Sequence, residues 1–405
     1  MHPAWENPRV ECAYWDAGVC RSCTWLEIPY ADQVTDKQAS VERALAEVPG
    51  AADITWLPAR TSAETGFRTR AKMVVGGTTQ DPTLGILDAD RHGVDLRDCP
   101  VMDPALRAAM PGLAHFIRRT GLVPYDVPGR SGELKYVLVT SADDGTLMVR
   151  FVLRSRRQLA SLRRNLGLLR DLVPSTRVVT ANIHPVHEAI IEGPEEIVLT
   201  GSATLPMRVG DVVLDPGPRS FSQTNTEVAG DLYRQAARWV DEGGARSLWD
   251  LYCGVGGFAL HAARAGVAEV TGVEVSGQAI ASARKAADDL LSGTAAPGST
   301  SSVHPATGSG AARFVAADAT EWALGQESVP DAVVVNPPRR GIGPDLARWL
   351  DDSRVGLVVY SSCNTQSLAR DLLAMPHLRP QEARLFDMFP HTAHAEVAVR
   401  LTRRD

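Results

Sequence analysis

The chain has 405 residues, of which 44% are hydrophobic and 22% charged, with a formal net charge of −6; it is long enough for two or three domains, and its mild acidity excludes a generally basic nucleic-acid coat. No apolar run reaches membrane-spanning length, and the polar start Met1-His2-Pro3-Ala4-Trp5-Glu6-Asn7 lacks the order of a signal peptide, so no membrane partner and a cytoplasmic location are expected. Six unevenly spaced cysteines do not form a disulfide framework.

Cys12, Cys20 and Cys23 follow a C-x7-C-x2-C pattern, and Cys99 lies downstream in Arg97-Asp98-Cys99-Pro100. A C-x2-C pair presents two thiolates on one tight turn, and two further thiolates complete a tetrahedral sulfur site. Such a set suits zinc or an iron–sulfur cluster, and spacing leaves both open, although the closing Cys-Pro favours iron–sulfur. Thr35 to Ala46 has helical spacing, and Gly66 to Val75 is an alternating segment carrying Arg68, Arg70 and Lys72. Leu134–Leu138 and Leu147–Leu153 predict a hairpin around Ala142-Asp143-Asp144-Gly145, with further strands at Arg177–Asn182 and Ala189–Ile191. Seven arginines between Arg150 and Arg170, with no acidic residue among them, predict a local positive surface suited to phosphates. Residues 1–215 thus read as an α+β domain with an antiparallel sheet, carrying the cysteine cluster.

Residues 216–405 read as an α/β domain. The strand Ser247-Leu248-Trp249-Asp250-Leu251-Tyr252 runs into Cys253-Gly254-Val255-Gly256-Gly257-Phe258 and then a helix. Glu269–Glu274 is a second strand, ending in a carboxylate 20 residues beyond Gly254, an offset at which an acid accepts from ribose hydroxyls. The loop is not a P-loop, and a dinucleotide and S-adenosylmethionine both remain open at this point. A third strand leads to Asp318, suited to an adenine amino group, and a fourth ends at Asn336-Pro337-Pro338-Arg339-Arg340-Gly341; that order is the plan of S-adenosylmethionine methyltransferases. Ser292 to Ala312, rich in Gly, Ser, Thr, Ala and Pro, reads as a flexible insertion. A fifth strand, Gly356–Tyr360, delivers Ser361-Ser362-Cys363-Asn364, and a thiol at a strand's carboxyl end is placed to meet a substrate. The alternative is a small buried apolar residue, the usual fate of a free cysteine. Ala383–Phe389 and Glu396–Leu401 form the last pair of strands. They frame Asp387-Met388-Phe389-Pro390-His391-Thr392-Ala393-His394-Ala395-Glu396, in which Glu396 is either a general base or a surface acid, and the two histidines are structural.

These segments, with Ser220-Phe221-Ser222-Gln223-Thr224-Asn225 and the four N-terminal cysteines, resemble the motifs of the S-adenosylmethionine-dependent RNA uracil-C5 methyltransferases over nearly the whole chain. The resemblance implies a Rossmann-like class I methyltransferase domain preceded by an RNA-binding domain, with no TRAM domain before Cys12. It implies a [4Fe-4S] cluster on Cys12, Cys20, Cys23 and Cys99. It further implies a cofactor pocket including Gln223, Tyr252, Gly254, Glu274, Asp318 and Asn336, with Cys363 as nucleophile and Glu396 as base. Asn336 where relatives carry Asp, and Gly-Glu-Leu-Lys-Tyr at 132–136, make it most similar to the branch acting on uracil 747 of 23S ribosomal RNA, in a hairpin loop, with no obligate protein partner. Alternatives are a tRNA T-loop uracil or another ribosomal uracil, a cytosine-C5 or small-molecule methyltransferase, and a non-catalytic iron–sulfur RNA-binding protein.

Overall fold

The computed structural model describes residues 9–187, 192–292 and 311–403. The expected strand at 189–191 lies outside them, as does most of the expected insertion; Ser292 ends a helix, and Ala311 and Ala312 open a strand. None of the described helices is long and apolar enough to cross a membrane. Two compact units are present. One comprises residues 1–9, 23–63 and 208–405, and the other 10–22 and 64–207. The boundary expected at 215/216 therefore falls at 207/208, and residues 23–63 group with the C-terminal half. Their helix Tyr30–Leu45 supplies Val41 and Leu45 to that unit's apolar core, together with Val48, a long-range association that local composition does not signal.

The larger unit is built on an eight-stranded sheet. Its spatial order is Thr55–Arg60, Leu378–Phe386, Glu396–Arg403, Leu357–Ser362, Ala332–Val335, Ser247–Leu251, Glu269–Glu274 and Ala311–Ala316. Glu396–Arg403 runs antiparallel to both its neighbours, and all other adjacent strands pair parallel. Ala332–Val335 and Leu357–Ser362 are buried throughout, as expected for strands covered on both faces. The chain leaves Ser247–Leu251 toward one edge and returns at Ala332–Val335 on its other side. That reversal opens a crevice at the carboxyl ends of these two strands, the usual place for a ligand in such sheets. This is the class I methyltransferase arrangement expected for 216–405, with one additional strand, Thr55–Arg60, paired parallel to Leu378–Phe386.

The smaller unit is α+β, as expected. Seven strands lie in the order Gly93–Asp95, Pro82–Leu87, Arg70–Gly77, Leu134–Ser141, Leu147–Leu153, Thr176–Ile183, Glu195–Val198, antiparallel except between Leu147–Leu153 and Thr176–Ile183. The predicted hairpin is present, its first strand three residues longer than expected, because Val139 and Ser141 continue the buried face. Helix Pro104–Thr120 covers the sheet; Asp103 caps it, proline opens it, and Gly121 ends it in the left-handed region at φ 68°. The arginine run needs correction at two of its seven positions, whereas Arg157, Arg163, Arg164 and Arg170 are exposed as expected. Arg150 is 1% exposed and pairs with Glu192 and Glu196, while Arg156 pairs with Glu195. The compensating acids come from farther along the chain, beyond the acid-free window.

Candidate active site

Strand Leu357–Ser362 ends where Asn364 caps the following helix Thr365–Leu373, its Oδ1 accepting from the Gln366 amide. Cys363 occupies the single position between strand end and cap. It lines a cavity of about 300 Å³ together with Lys37, Ser40, Arg339, Asn364, Thr365 and His394, among others. Burial raises the thiol's pKa, the nearby Glu396 raises it further, and Arg339, which hydrogen-bonds the sulfur, opposes both. Arg339 is held in turn: Asn364 Nδ2 donates to its carbonyl at 2.8 Å, and its Nη2 lies 3.1 Å from His394 Nδ1. Burial and the cations Arg339 and Lys37 lower the pKa of His394, which favours the neutral ring that accepts from Arg339.

Glu396 is 2% exposed and so is not a surface acid. It immediately follows Ala393, His394 and Ala395, which line the cavity, and its carboxylate accepts from Ser361 Oγ. Burial pushes its pKa up to about 7, against the Ser361 hydrogen bond, which lowers it. The turn before it is clamped by helix Tyr30–Leu45. Lys37 Nζ donates to Asp387 Oδ1 at 2.6 Å and to the Phe389 carbonyl at 2.9 Å, and Tyr30 donates to Asp387 Oδ2. Gln33 accepts from the His391 amide, in a turn where His391 has φ 64°. His391 is thus structural, as expected, whereas His394 faces the cavity.

The cofactor candidates gather unevenly. Tyr252 adopts φ 68°, Gly254 φ 54° and Gly256 φ 89°, so the chain after strand Ser247–Leu251 turns sharply, and a side chain at Gly254 would meet nothing within 4 Å. Gly257 admits the ring of Tyr233, which a Cβ there would approach to 2.6 Å. Asp250, fully buried, accepts from the Ala259 amide and so ties the strand to the helix after the turn; burial raises its pKa to about 7. Glu274 ends the next strand with Oε1 accepting from the Ser276 amide, leaving Oε2 without a hydrogen-bond partner among the described residues. Asp318 caps helix Ala319–Leu324 by accepting from the Thr320 and Glu321 amides, and Asn336 directly follows Ala332–Val335. Gln223 is buried just before helix Thr226–Glu242, and no hydrogen bond joins it to the other cofactor candidates among the described residues.

Burial and the neighbouring Cys12 and Cys20 raise the pKa of Cys99, with all three in the smaller unit; Cys23 belongs to the larger. None of the four is in a disulfide. Among the described residues, no three His, Cys, Asp or Glu side chains converge as a metal-holding group. Cys253, the thiol in the glycine turn, is 6% exposed, and burial followed by Asp250 and Glu274 raises its pKa well above the ordinary thiol value. Sequence reasoning misses Arg339, Lys37 and Ser361 as members of the site. Only the cation after Asn-Pro-Pro carries a local signal.

A family model described as tRNA (Uracil-5-)-methyltransferase matches residues 313–404. The 23S rRNA (uracil(747)-C(5))-methyltransferase RlmC of Halothiobacillus neapolitanus is 47% identical over 398 residues, covering 97% of this chain and all of that protein. Its namesake from Escherichia coli O139:H28 is 43% identical, covering 98% of this chain and all of its own length. Among solved structures, Pyrococcus abyssi tRNA (uracil-54, C5)-methyltransferase in complex with S-adenosyl-L-homocysteine superposes with a TM-score of 0.72 at 25% identity, covering 94% of this chain and 85% of that one.

Proposed function

The chain belongs to the RNA uracil-C5 methyltransferase family, S-adenosylmethionine-dependent enzymes, and we propose that its target is uracil 747 of 23S ribosomal RNA, presented in a hairpin loop by the smaller unit. The observation that carries the reading is Cys363 lining a polar cavity, with Glu396 near enough to act on its thiol. The thiolate of Cys363 adds to uracil C6, and the ring's electrons move toward O4 and C5, giving C5 carbanion character. S-adenosylmethionine would be held by Tyr252, Gly254, Glu274, Asp318 and Asn336, with Gln223 as a further candidate; it would supply the methyl group for C5 and leave as S-adenosylhomocysteine. Glu396 removes the proton still on C5, the C5–C6 double bond re-forms, and the Cys363 thiolate leaves. Both faces of one uracil must be reached, so the base must be unstacked, as in a loop.

Cys12, Cys20, Cys23 and Cys99 we assign to a [4Fe-4S] cluster. Support comes from the C-x7-C-x2-C spacing, the distal Cys-Pro, and the closeness of Cys12 and Cys20 to Cys99. No chemical step passes through it. Iron and labile sulfide at four atoms each per chain, with loss on Cys20→Ser, are the expected result for anaerobically purified protein; zinc in their place refutes the assignment.

A second target, a tRNA T-loop uracil, is favoured by the superposition on a tRNA uracil-54 enzyme. Mapping 5-methyluridine in 23S rRNA and tRNA from a deletion strain, with and without the gene restored, separates the two. Loss at 747 alone is expected. An unchanged 747 refutes the ribosomal target.

A further inference from the structure

We infer that the smaller unit carries a sequence-independent phosphate-binding patch for its RNA, formed by the loop-tip arginines Arg91 and Arg130 with Arg154, and seated on the Tyr125–Lys135–His187 cluster. The inference deepens the reading of an RNA substrate and rests on it.

Four non-glycine residues have positive φ among the described residues: Arg91 at 67°, Arg130 at 50°, Tyr252 at 68° and His391 at 64°. Tyr252 forms the cofactor turn and His391 the turn before Glu396, so two of the four serve the catalytic site. The other two are exposed arginines in the smaller unit. A Cβ is unfavourable in this region, and glycine would make either turn at no steric penalty. Non-glycine residues held there cluster at ligand clamps and active sites. A long cation retained at each tip therefore calls for a reason in the side chain.

Arg91 closes the turn between Pro82–Leu87 and Gly93–Asp95, its amide donating to the Asp88 carbonyl at 3.1 Å. Arg130 lies in a turn closed by reciprocal backbone bonds between Asp126 and Ser131, and Arg154 Nη1 donates to its carbonyl at 2.9 Å. Lys135, 5% exposed, donates to the Val186 carbonyl, and its ammonium sits 4.9 Å from the ring centroid of Tyr125. The Tyr125 hydroxyl lies 2.8 Å from His187 Nδ1.

These groups share one field. Desolvation, then Arg130, Lys135 and Arg91, lower the pKa of His187, and Arg154 adds to the desolvation that lowers Lys135. The acids nearby are engaged in loop geometry. Asp126 accepts from the Gly129 amide, Glu133 from the Ser155 amide and hydroxyl, and Asp88 from the His92 amide. Among the described residues, no ion pair involves Arg91, Arg130, Lys135 or Arg154, in contrast to Arg150 and Arg156. Cations held outside close ion pairs are available to a polyanion, and guanidinium forks match phosphate oxygens.

The test uses the full chain, Arg91→Gly/Arg130→Gly and Arg91→Lys/Arg130→Lys. Probes are a transcript of the 23S rRNA hairpin bearing uracil 747 and an unrelated hairpin of equal length. The glycine pair is expected to keep its melting temperature and S-adenosylhomocysteine affinity, because glycine suits both backbones. It should bind both RNAs more weakly, with the slope of log K against log salt reduced by about 0.7–0.9 for each phosphate that is no longer neutralised. The lysine pair should restore most of that slope. Unchanged affinity and slope for the glycine pair on both RNAs overturn the patch. Equal binding and methylation of both hairpins by the unaltered chain instead overturn the uracil 747 reading and leave the patch result standing. An unaltered chain that binds neither RNA overturns both.

Discussion

Replacing Lys37 with methionine isolates what the N-terminal helix does for the active site. Lys37 and Asp387 are both 0% exposed at their side chains and 2.6 Å apart, so the substitution leaves a buried carboxylate with Tyr30 as its remaining side-chain partner. Breaking a buried pair from one side costs about 3–5 kcal/mol, since the orphaned charge keeps its desolvation penalty. At about 2–4 °C per kcal/mol for a unit of this size, the transition should fall by roughly 6–20 °C. A melt of the full chain with and without S-adenosylhomocysteine identifies the affected transition, because ligand raises only the unit that binds it. Lys37→Met/Asp387→Leu should lose less than either single change, since no unpaired charge remains. Methylation by Lys37→Met, measured below its melting point, should also fall, because the Phe389 carbonyl and Asp387 fix the turn leading to His394 and Glu396. A loss under about 1 kcal/mol in Lys37→Met, or a double variant whose loss equals the sum of the singles, refutes the clamp.

Cys363→Ala should abolish methylation and the covalent adduct with 5-fluorouridine RNA, whereas Cys253→Ala, which alters a buried contact beside Gly272, should retain a measurable fraction of both; mass spectrometry of the adduct decides between them. With Glu396 at about 7, proton removal from C5 should rise with pH through neutrality, and Ser361→Ala should move that limb upward, because the lost hydrogen bond favours the ionised form. The same shift has a stability sign. An unfolded carboxylate at 4.5 ionises before the folded one at about 7, so the unfolded state binds fewer protons, and stability falls by about 3 kcal/mol as pH rises through that window. Denaturation midpoints that rise between pH 5 and 7 in the unaltered chain, relative to Glu396→Gln, contradict this.

Much of the catalytic sheet was legible because its signals are local. The runs Val333–Val335 and Leu357–Tyr360 are apolar throughout, and Gly254 and Gly256 mark a turn that requires left-handed backbone. The proposed nucleophile was legible as a thiol directly after an apolar strand; the Asn364 cap that follows it came only with the structure. The partners that tune it were hidden by distance along the chain. Lys37 and Asp387 are 350 residues apart, and Ser361 and Glu396 are 35 apart on neighbouring strands. Arg150 was misread for the same reason: it is neutralised from 42 and 46 residues downstream, whereas Arg157, Arg163, Arg164 and Arg170 of the same run stay exposed. Arg91 and Arg130 sit in no run at all. Only the backbone conformation singles them out.

The thiol and the carboxylate at the site cannot both be charged cheaply, and this orders the steps. Glu396 raises the pKa of Cys363 as a like charge, so the thiolate forms most readily while Glu396 still carries its proton, as it does below about pH 7. Once sulfur is bonded to C6 it is a neutral thioether. The repulsion then vanishes, and in the proposed mechanism Glu396 is freed to ionise and take the C5 proton. Glu396→Gln, which keeps the shape and an acceptor for Ser361, separates the two roles. Alkylation of Cys363 by iodoacetamide, followed in a Cys253→Ala background, should match the unaltered protein below pH 7 and run faster above it, where only the native chain carries the second charge. On ordinary uracil RNA the same variant should accumulate a methylated covalent complex, because nothing removes the C5 proton that holds sulfur in place. Coincident alkylation curves from pH 6 to 10 refute the coupling, and normal turnover by Glu396→Gln removes that residue from the chemistry.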